Sequence, residues 1–147
     1  VLDKIFRSIK HNKPVFLIGN GKNRYQMVSV YDCAEACILA ATTVTKQTIF
    51  NLGSDNPLSF KETIQNIIEH AHSRSTIICL PSALTKTALR CLGLTGLAPL
   101  QREQYAIADK DYLLDTTNAQ TELYWKPQHS DEMMLQEAYN DFIHRNI

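Results

Sequence analysis

The chain has no excess of charge of either sign and no long apolar run. Its 147 residues carry 15 Lys and Arg against 15 Asp and Glu. A net charge of zero lacks the basic surface typical of nucleic-acid binders and polybasic membrane binders. Apolar runs such as 77–80 fall far short of the roughly 20 residues that a bilayer requires. We therefore expect one globular domain with neither nucleic acid nor a membrane as partner.

Cysteine is also scarce, and its spacing fits neither a disulfide framework nor a zinc site. The four cysteines lie at positions 33, 37, 79 and 91, with no CxxC pair. Cys33 and Cys37 could share a helical face and bind a metal, but no second Cys or His pair has suitable spacing, so buried small apolar residues are the simpler reading. Reduced thiols indicate a cytoplasmic location. The first residue is Val1 and no signal peptide is visible, so we expect a piece of a longer protein.

Hydrophobic periodicity changes repeatedly between helix and strand, which predicts an α/β fold. Leu2, Ile5, Phe6 and Ile9 form one helical stripe, which ends before Pro14. A second hairpin-like strand is expected over 25–30, and Ser59 with Glu62 predicts a capping box. Helices are predicted over 2–9, from 32, from 59, from 82, over 100–107, from 116 and from 130; strands are predicted over 15–18, 25–30, 48–53, 76–80 and 112–114.

Two of these helices carry further expectations about caps and buried faces. Asp32 and Glu35 suggest that Asp32 caps the helix that follows it. Gly93 should end the helix that begins near Ser82, and a loop should run from there to Pro99. The residues predicted to face inward are Ala34, Cys37, Ile38 and Ala41 in the first helix, and Leu84, Ala88, Cys91 and Leu92 in the second.

The segment Gly19-Asn20-Gly21 begins like a dinucleotide-binding fingerprint but does not continue as one. Arg24 stands where the third glycine belongs, and β-rich residues follow in place of a helix. Arg24 with its polar neighbours offers several donors in a small space, which suits a phosphate or a carboxylate. A solvated turn is the alternative. The acidic residues Asp109, Asp111 and Asp115 are interpreted as solvated turn charges plus a helix cap.

Four stretches in the same order carry a resemblance to a known family. They are GNGKNRYQMVSVYDCAEA at 19–36, FNLGSDNPLSFKE at 50–62, Pro81 with the apolar helix after it, and DTTNAQTELYWKP at 115–127. Together they resemble the extended short-chain dehydrogenase/reductases of the NAD-dependent epimerase/dehydratase family. The resemblance runs from about residue 2 to 142 and implies a Rossmann-type α/β fold.

What is missing from the family pattern indicates which part of such a protein this is. Members carry a glycine-rich fingerprint and a Tyr-x-x-x-Lys pair, and none of the six tyrosines here has Lys four residues later. The resemblance therefore implies that residues 1–147 are the C-terminal, substrate-binding part, without the cofactor domain. NAD or NADP would bind elsewhere in the parent protein and not to this fragment. No catalytic, cofactor-binding or metal-binding residue is expected in this chain.

The resemblance also implies where a substrate would bind. The epimerases' diphosphate-binding Arg corresponds to Tyr25, with Arg24 one residue earlier, and Arg102 is the possible counterpart of their second Arg. Asn118 replaces the Lys of the near-C-terminal motif, and Tyr124 replaces a glycine, so a left-handed backbone is expected at Tyr124. The substrate-binding residues predicted for a nucleotide sugar are Asn20, Lys22, Arg24, Tyr25, Gln26 and Arg102.

Two other functions stay open, together with a prediction about assembly. The chain could be a non-catalytic binding or assembly module, or part of an extended reductase of a non-sugar carbonyl or alcohol. The strand over 49–52 should lie parallel to a strand that the cofactor domain supplies in the family. Without that neighbour the strand has an open edge, so we expect a homo-oligomer.

Overall fold

A computed structural model describes residues 2–94 and 102–145, in which helices alternate with two short strands, and the predicted α/β class is confirmed. Short α6 follows Thr116, as the sequence indicates. The elements are α1 (Leu2–Lys10), β1 (Val15–Ile18), α2 (Val30–Thr42), α3 (Phe60–His70), β2 (Ile77–Leu80), α4 (Ser82–Leu94), α5 (Arg102–Ala106), α6 (Thr117–Glu122) and α7 (Asp131–Arg145).

The sheet of the described residues consists of β1 and β2, which run parallel. Val15 pairs with Ile77 and Ile18 pairs with Leu80, so both strands end at the same edge of the sheet. Beyond the last pair, Gly19 N donates to Leu80 O at 2.8 Å. We call this edge the carboxyl edge. In open α/β sheets it is where ligands bind.

The larger core lies between α1, β1, α3 and α7. Phe6 packs edge to face against Tyr139 with ring centroids 5.3 Å apart. The capping box predicted for α3 is present, because Ser59 Oγ accepts from Glu62 N while Glu62 Oε2 accepts from Ser59 N. The buried residues of this core are Ile5, Phe6, Ile9, Val15, Leu17, Ile64, Ile67, Ile68, Leu135 and Tyr139.

A smaller core joins α2 to α6 and the segment after it. Ala36, Ala119, Leu123 and Trp125 are its buried members. Trp125 is completely buried, and its Nε1 donates to the main-chain oxygen of Asp32 at 3.0 Å. The large apolar anchor expected at Trp125 therefore holds the near-C-terminal motif against the first turn of α2.

Three predicted strands are not strands in the described chain. Residues 25–30 form no hairpin with β1, because the partner of β1 is β2. Arg24 and Tyr25 make single bridges, to Ser59 and Tyr112 respectively. The predicted strands over 112–114 and 48–53 are otherwise unpaired, since the described residues offer them no continuous neighbour.

The predicted cap and buried face of α2 are wrong. Ser29 is the N-cap, and its Oγ accepts from Tyr31 N, so the helix begins earlier than expected and Asp32 lies in its first turn. The buried residues are Asp32 and Ala36, whereas Ala34, Cys37, Ile38 and Ala41 are exposed. The helix is apolar on most sides, so its hydrophobic pattern did not select the face that packs.

The inward face predicted for α4 is also wrong. Leu89 is its buried residue, while Leu84, Ala88, Cys91 and Leu92 are exposed. Gly93 lies inside the helix and does not end it. The rest of the predicted loop, 95–99, falls outside the described residues.

Candidate functional site

The glycine turn that follows β1 is fixed at the carboxyl edge by close contacts. Gly19 and Gly21 have φ values of 87° and 71°, which non-glycine residues rarely adopt. A Cβ on Gly19 would lie 2.9 Å from Asp109 Cβ, and one on Gly21 would lie 2.8 Å from Lys61 Cβ. Asn20 Oδ1 accepts from Lys22 N at 2.9 Å, which closes the turn. Both glycines are therefore required by backbone conformation and by space.

The N-terminus of α3 adjoins this turn, but its first backbone donors are already engaged. Phe60 N donates to Asn23 O at 2.8 Å and Lys61 N donates to Gly21 O at 3.0 Å. Glu62 N is bound by the Ser59 hydroxyl. A pyrophosphate held at a helix N-terminus needs such N–H groups free. The turn is therefore not built as a dinucleotide-binding loop.

Arg24 is paired with a carboxylate from a distant part of the chain. Its guanidinium lies 3.1 Å from Asp111 Oδ2, and its backbone N–H donates to Asp111 Oδ1 at 2.8 Å. The backbone N–H and the guanidinium of Arg24 lower the pKa of Asp111, which favours the charged carboxylate. The two side chains are 47% and 49% exposed. Arg24 is therefore open to solvent while it is paired with a carboxylate of the same chain.

Tyr25 and Gln26 are occupied by contacts within the chain. The Tyr25 hydroxyl donates to Ile107 O at 2.7 Å, and burial, then the charge of Asp109, raises its pKa. Gln26 Nε2 donates to Ser54 O at 2.7 Å, and Gln26 Oε1 accepts from Leu114 N at 2.7 Å. Both ends of the Gln26 amide thus fasten main-chain segments, which is a structural role in this chain.

A second ion pair, absent from the sequence prediction, lies beside the glycine turn. Asp109 accepts hydrogen bonds from Lys86 and Ser82 of α4, and Lys86 Nζ also donates to Ala106 O at 3.0 Å. The hydrogen bonds from Lys86 and Ser82 lower the pKa of Asp109. Ser82 and Lys86 are four residues apart in α4, so the sequence indicates that they share one face of the helix. Nothing in the sequence links them to Asp109.

Two of the predicted substrate-binding residues, Arg24 and Tyr25, thus lie with the ion pairs described above. We define the carboxyl-edge cluster as Arg24, Tyr25, Ser82, Lys86, Asp109 and Asp111. Asn20 and Lys22 are exposed beside it, and Asn23 is buried with no hydrogen-bond partner for its amide. Arg102 begins α5, but its side chain lies outside the described part of the structure. Asp109 and Asp111 are ion-paired as well as open to solvent, so their interpretation as solvated turn charges left out their partners, Lys86 and Arg24.

Asp32, an acidic residue of the first family-like stretch, fastens the segment that precedes α7. Its carboxylate accepts from the backbone N–H groups of Gln128 and His129, both at 3.2 Å, and lies 2.8 Å from His129 Nδ1. Burial acts to raise the pKa of Asp32, but these hydrogen bonds, led by that of His129, outweigh it and lower the pKa. A charged carboxylate only accepts, so His129 donates from Nδ1. Asp32 therefore joins α2 to the start of α7.

The described residues carry neither a metal-binding cluster nor a membrane-spanning helix. Over 2–94 and 102–145, no three His, Cys, Asp or Glu side chains are grouped to hold a metal ion. The four cysteines are free thiols, and Cys37 is exposed, so its interpretation as a buried residue is wrong. No helix in the described ranges has the length and apolar character to cross a membrane.

Comparison with known proteins connects the first third of the chain to a family. The NAD dependent epimerase/dehydratase family model matches residues 1–53. The uncharacterized protein y4nG of Sinorhizobium fredii is 31% identical over 140 residues, which are 95% of this chain and 35% of that protein. A UDP-N-acetyl-alpha-D-glucosaminuronate decarboxylase of Bacillus cytotoxicus is 30% identical over 81 residues, 55% of this chain and 25% of that one. The family whose model matches residues 1–53 is the one that the motifs indicated.

Solved structures show the same fold. The UDP-glucose 4-epimerase of Thermotoga maritima, solved with UDP-glucose, has a TM-score of 0.69 at 18% identity over 99% of this chain and 40% of its own. The UDP-glucuronic acid 4-epimerase of Bacillus cereus, solved with NAD, has a TM-score of 0.67 at 16% identity over 97% of this chain and 38% of its own. The chain thus spans about 40% of these structures and 35% of its Sinorhizobium relative.

Proposed function

We propose that this chain is the substrate-binding region of a longer NAD(P)-dependent epimerase or dehydratase that acts on a nucleotide sugar. The observation that carries the proposal is the half-exposed Arg24 guanidinium, which follows the glycine turn that leaves the carboxyl edge of the parallel sheet. A planar guanidinium binds phosphate through paired hydrogen bonds. Similar folds were solved with UDP-glucose and with UDP-glucuronic acid, which supports a ligand that bears a diphosphate.

The chain's part in the reaction is to bind and orient. Arg24 and Lys22 supply positive charge beside the glycine turn, and the Asn20 side chain shapes that turn. The cofactor of related structures, NAD in one and NADPH in another, does not fit the turn, because the adjoining N–H groups of α3 are engaged. Since no tyrosine of this chain has Lys four residues later, we place hydride transfer and its catalytic base in the rest of the parent protein. We also place that protein in the cytoplasm.

The experiment that tests the proposal is Arg24→Ala in the longer protein. A charge-assisted contact to phosphate contributes on the order of 1.5 to 3 kcal/mol, so KM for the nucleotide sugar should rise about tenfold or more. Arg145→Ala is the matched control, because its guanidinium is exposed on α7, far along the chain from the site. Loss of thermal stability with an unchanged KM would show that Arg24 is structural and that the substrate binds elsewhere.

A second function, an assembly module, is supported by the exposed apolar side chains. Four apolar side chains have most of their surface open to solvent: Phe16 in β1, Ile38 in α2, Leu84 in α4, and Ile49, which lies between α2 and α3. Single exposed apolar residues are ordinary, but four from separate parts of the chain suggest faces that another chain or domain covers. An extended reductase of a non-sugar substrate shares the same fold and differs in the ligand at Arg24. A rise in KM for a nucleotide sugar on Arg24→Ala favours nucleotide-sugar binding over both the assembly module and the non-sugar reductase.

A further inference from the structure

Both cations of the carboxyl-edge cluster are held by carboxylates from one short segment. Arg24 lies on Asp111, and Lys86 lies on Asp109. The two acidic residues are separated by a single position, so their Cα atoms are at most about 7.6 Å apart. Arg24 and Lys86, which are 62 positions apart in the sequence, thus converge on neighbouring anions. A diphosphate likewise presents two anionic groups that lie next to each other.

The backbone of this segment is fastened independently of its carboxylates. Tyr112 N donates to Arg24 O at 2.8 Å, and Gln26 N donates to Tyr112 O at 3.1 Å. The Tyr25 hydroxyl holds Ile107 O. Movement of the two carboxylates would therefore not require the segment to leave its place. Among the described residues, the hydrogen bond from Arg24 N to Asp111 Oδ1 is the one contact that joins either carboxylate to the backbone of a distant segment.

Solvent reaches both ion pairs. The side chains of Lys86 and Asp109 are 22% and 25% exposed, and those of Arg24 and Asp111 are about half exposed. Pairs open to water contribute little to stability, because water and salt screen them. A phosphate group carries more charge than a carboxylate and offers more acceptor oxygens. It can therefore compete for the same guanidinium and ammonium.

We propose that Arg24 and Lys86 form a two-cation site for the diphosphate of the ligand, and that Asp111 and Asp109 occupy this site until the ligand displaces them. This inference rests on the proposed function and extends it to Lys86, which the sequence did not indicate. The displaced carboxylates turn to solvent while the backbone of 107–112 stays in register. Ligand affinity is thus set by competition with the chain's own anions.

The test is calorimetric titration of inorganic pyrophosphate into the full chain and its variants. Asp111→Asn should bind pyrophosphate about threefold to tenfold more tightly than the unaltered chain, because the competing charge is gone while its hydrogen-bond acceptor for Arg24 N remains. Arg24→Gln and Lys86→Gln should each bind at least tenfold more weakly. Asp115→Asn is the matched control and should change nothing, because Asp115 accepts from Thr117 N and holds no cation.

The outcomes separate this inference from the proposed function. Tighter binding by Asp111→Asn, or by Asp109→Asn where the first variant melts early, supports the exchange. Binding that Arg24→Gln weakens but neither Asp variant strengthens overturns the exchange and leaves the proposed function standing. Binding insensitive to Lys86→Gln overturns the two-cation site. No pyrophosphate binding by the unaltered chain or by the Asp variants contradicts the two-cation site, whereas the proposed function is tested separately by KM of Arg24→Ala in the longer protein.

Discussion

At the scale of single residues, two buried carboxyl groups with opposite environments show what burial costs and what offsets it. Asp32 accepts two backbone N–H bonds and one imidazole bond, so its pKa is lowered despite burial. Asp131 is buried with a single hydrogen bond, from Met27 N at 3.2 Å, and burial raises its pKa against weaker opposing effects of Ser54 and Met27. Its Oδ2 has no partner. Asp32 therefore stabilises the fold as an anion, and Asp131 does not.

These directions predict opposite responses to pH and to amidation. Asp32 contributes stability above its ordinary pKa of 3.8, and this is lost as pH falls through its lower folded pKa. Asp131 destabilises progressively as pH rises from 3.8 through its raised folded pKa. At pH 7, Asp131→Asn should stabilise by on the order of 1 kcal/mol, whereas Asp32→Asn should cost about 2 kcal/mol or more. Urea unfolding at pH 5 and pH 7 measures both, and equal signs would contradict the assignment.

Tyr124 carries a backbone strain that the sequence predicted. Its φ is 55°, in the left-handed region, which confirms the expectation drawn from the glycine that it replaces. Its ring is 83% exposed and contributes little packing. Tyr124→Gly should therefore stabilise the chain by about 1 kcal/mol, because glycine adopts this conformation without the Cβ clash.

Tyr124→Ala separates strain from the loss of the ring. It removes the same exposed ring but keeps a Cβ, so thermal unfolding should show no comparable gain. A gain shared by both variants would mean that the ring itself is unfavourable and that the backbone is not strained.

At the scale of elements, α3 is the helix whose N-terminus and buried face the sequence specifies most completely. Ser59 and Glu62 cap it reciprocally, and its apolar stripe fills the larger core. Its N-terminus also supplies the donors that hold the glycine turn in place. The N-terminus of α3 therefore also fixes the glycine turn that lies beside the carboxyl-edge cluster.

Removal of this cap should cost about 1 kcal/mol of unfolding free energy, as N-cap substitutions to Ala do. We expect this for Ser59→Ala in chemical denaturation. Thr116→Ala is the comparison, because Thr116 holds the N-cap position of α6 without a side-chain hydrogen bond to that helix's backbone N–H groups. A cost for Thr116→Ala equal to that of Ser59→Ala would show that the capping bond contributes little.

At the scale of the whole molecule, the described chain leaves a predicted strand and apolar side chains without partners. Residues 48–53 form no strand with another described segment, and Phe16 on one face of the sheet is 59% exposed. Open strand edges readily pair with other chains. The chain therefore has the surface of a part that packs against something else.

We accordingly predict that the isolated chain self-associates. Sedimentation velocity should show dimers or larger species as concentration rises, and Ile49→Lys should shift the distribution towards monomer because it places a charge on the unpaired segment. Met133→Lys, at an exposed position on α7, should leave the distribution unchanged. A monomer at high concentration would contradict the prediction.

The sequence by itself determined the elements with strong local signals. The stripe of α1, the capping box of α3, the apolar run of β1 and the left-handed residue at Tyr124 all depend on neighbours within a few positions. Four ordered motifs were also enough to indicate the family, since each fixes a local turn or cap.

Tertiary structure alone decided which faces pack and which charges meet. The helix α2 is apolar nearly all round, so only its neighbours could select Ala36 over Ile38 for burial. The pairing of Arg24 with Asp111 joins residues 87 positions apart, for which the sequence carries no local signal. Strands need partners, and segments predicted as strands at 48–53 and 112–114 formed none where the described chain supplied no continuous neighbour. Long-range contacts follow from the packing of whole elements, which is why the site's ion pairs emerged only from the fold.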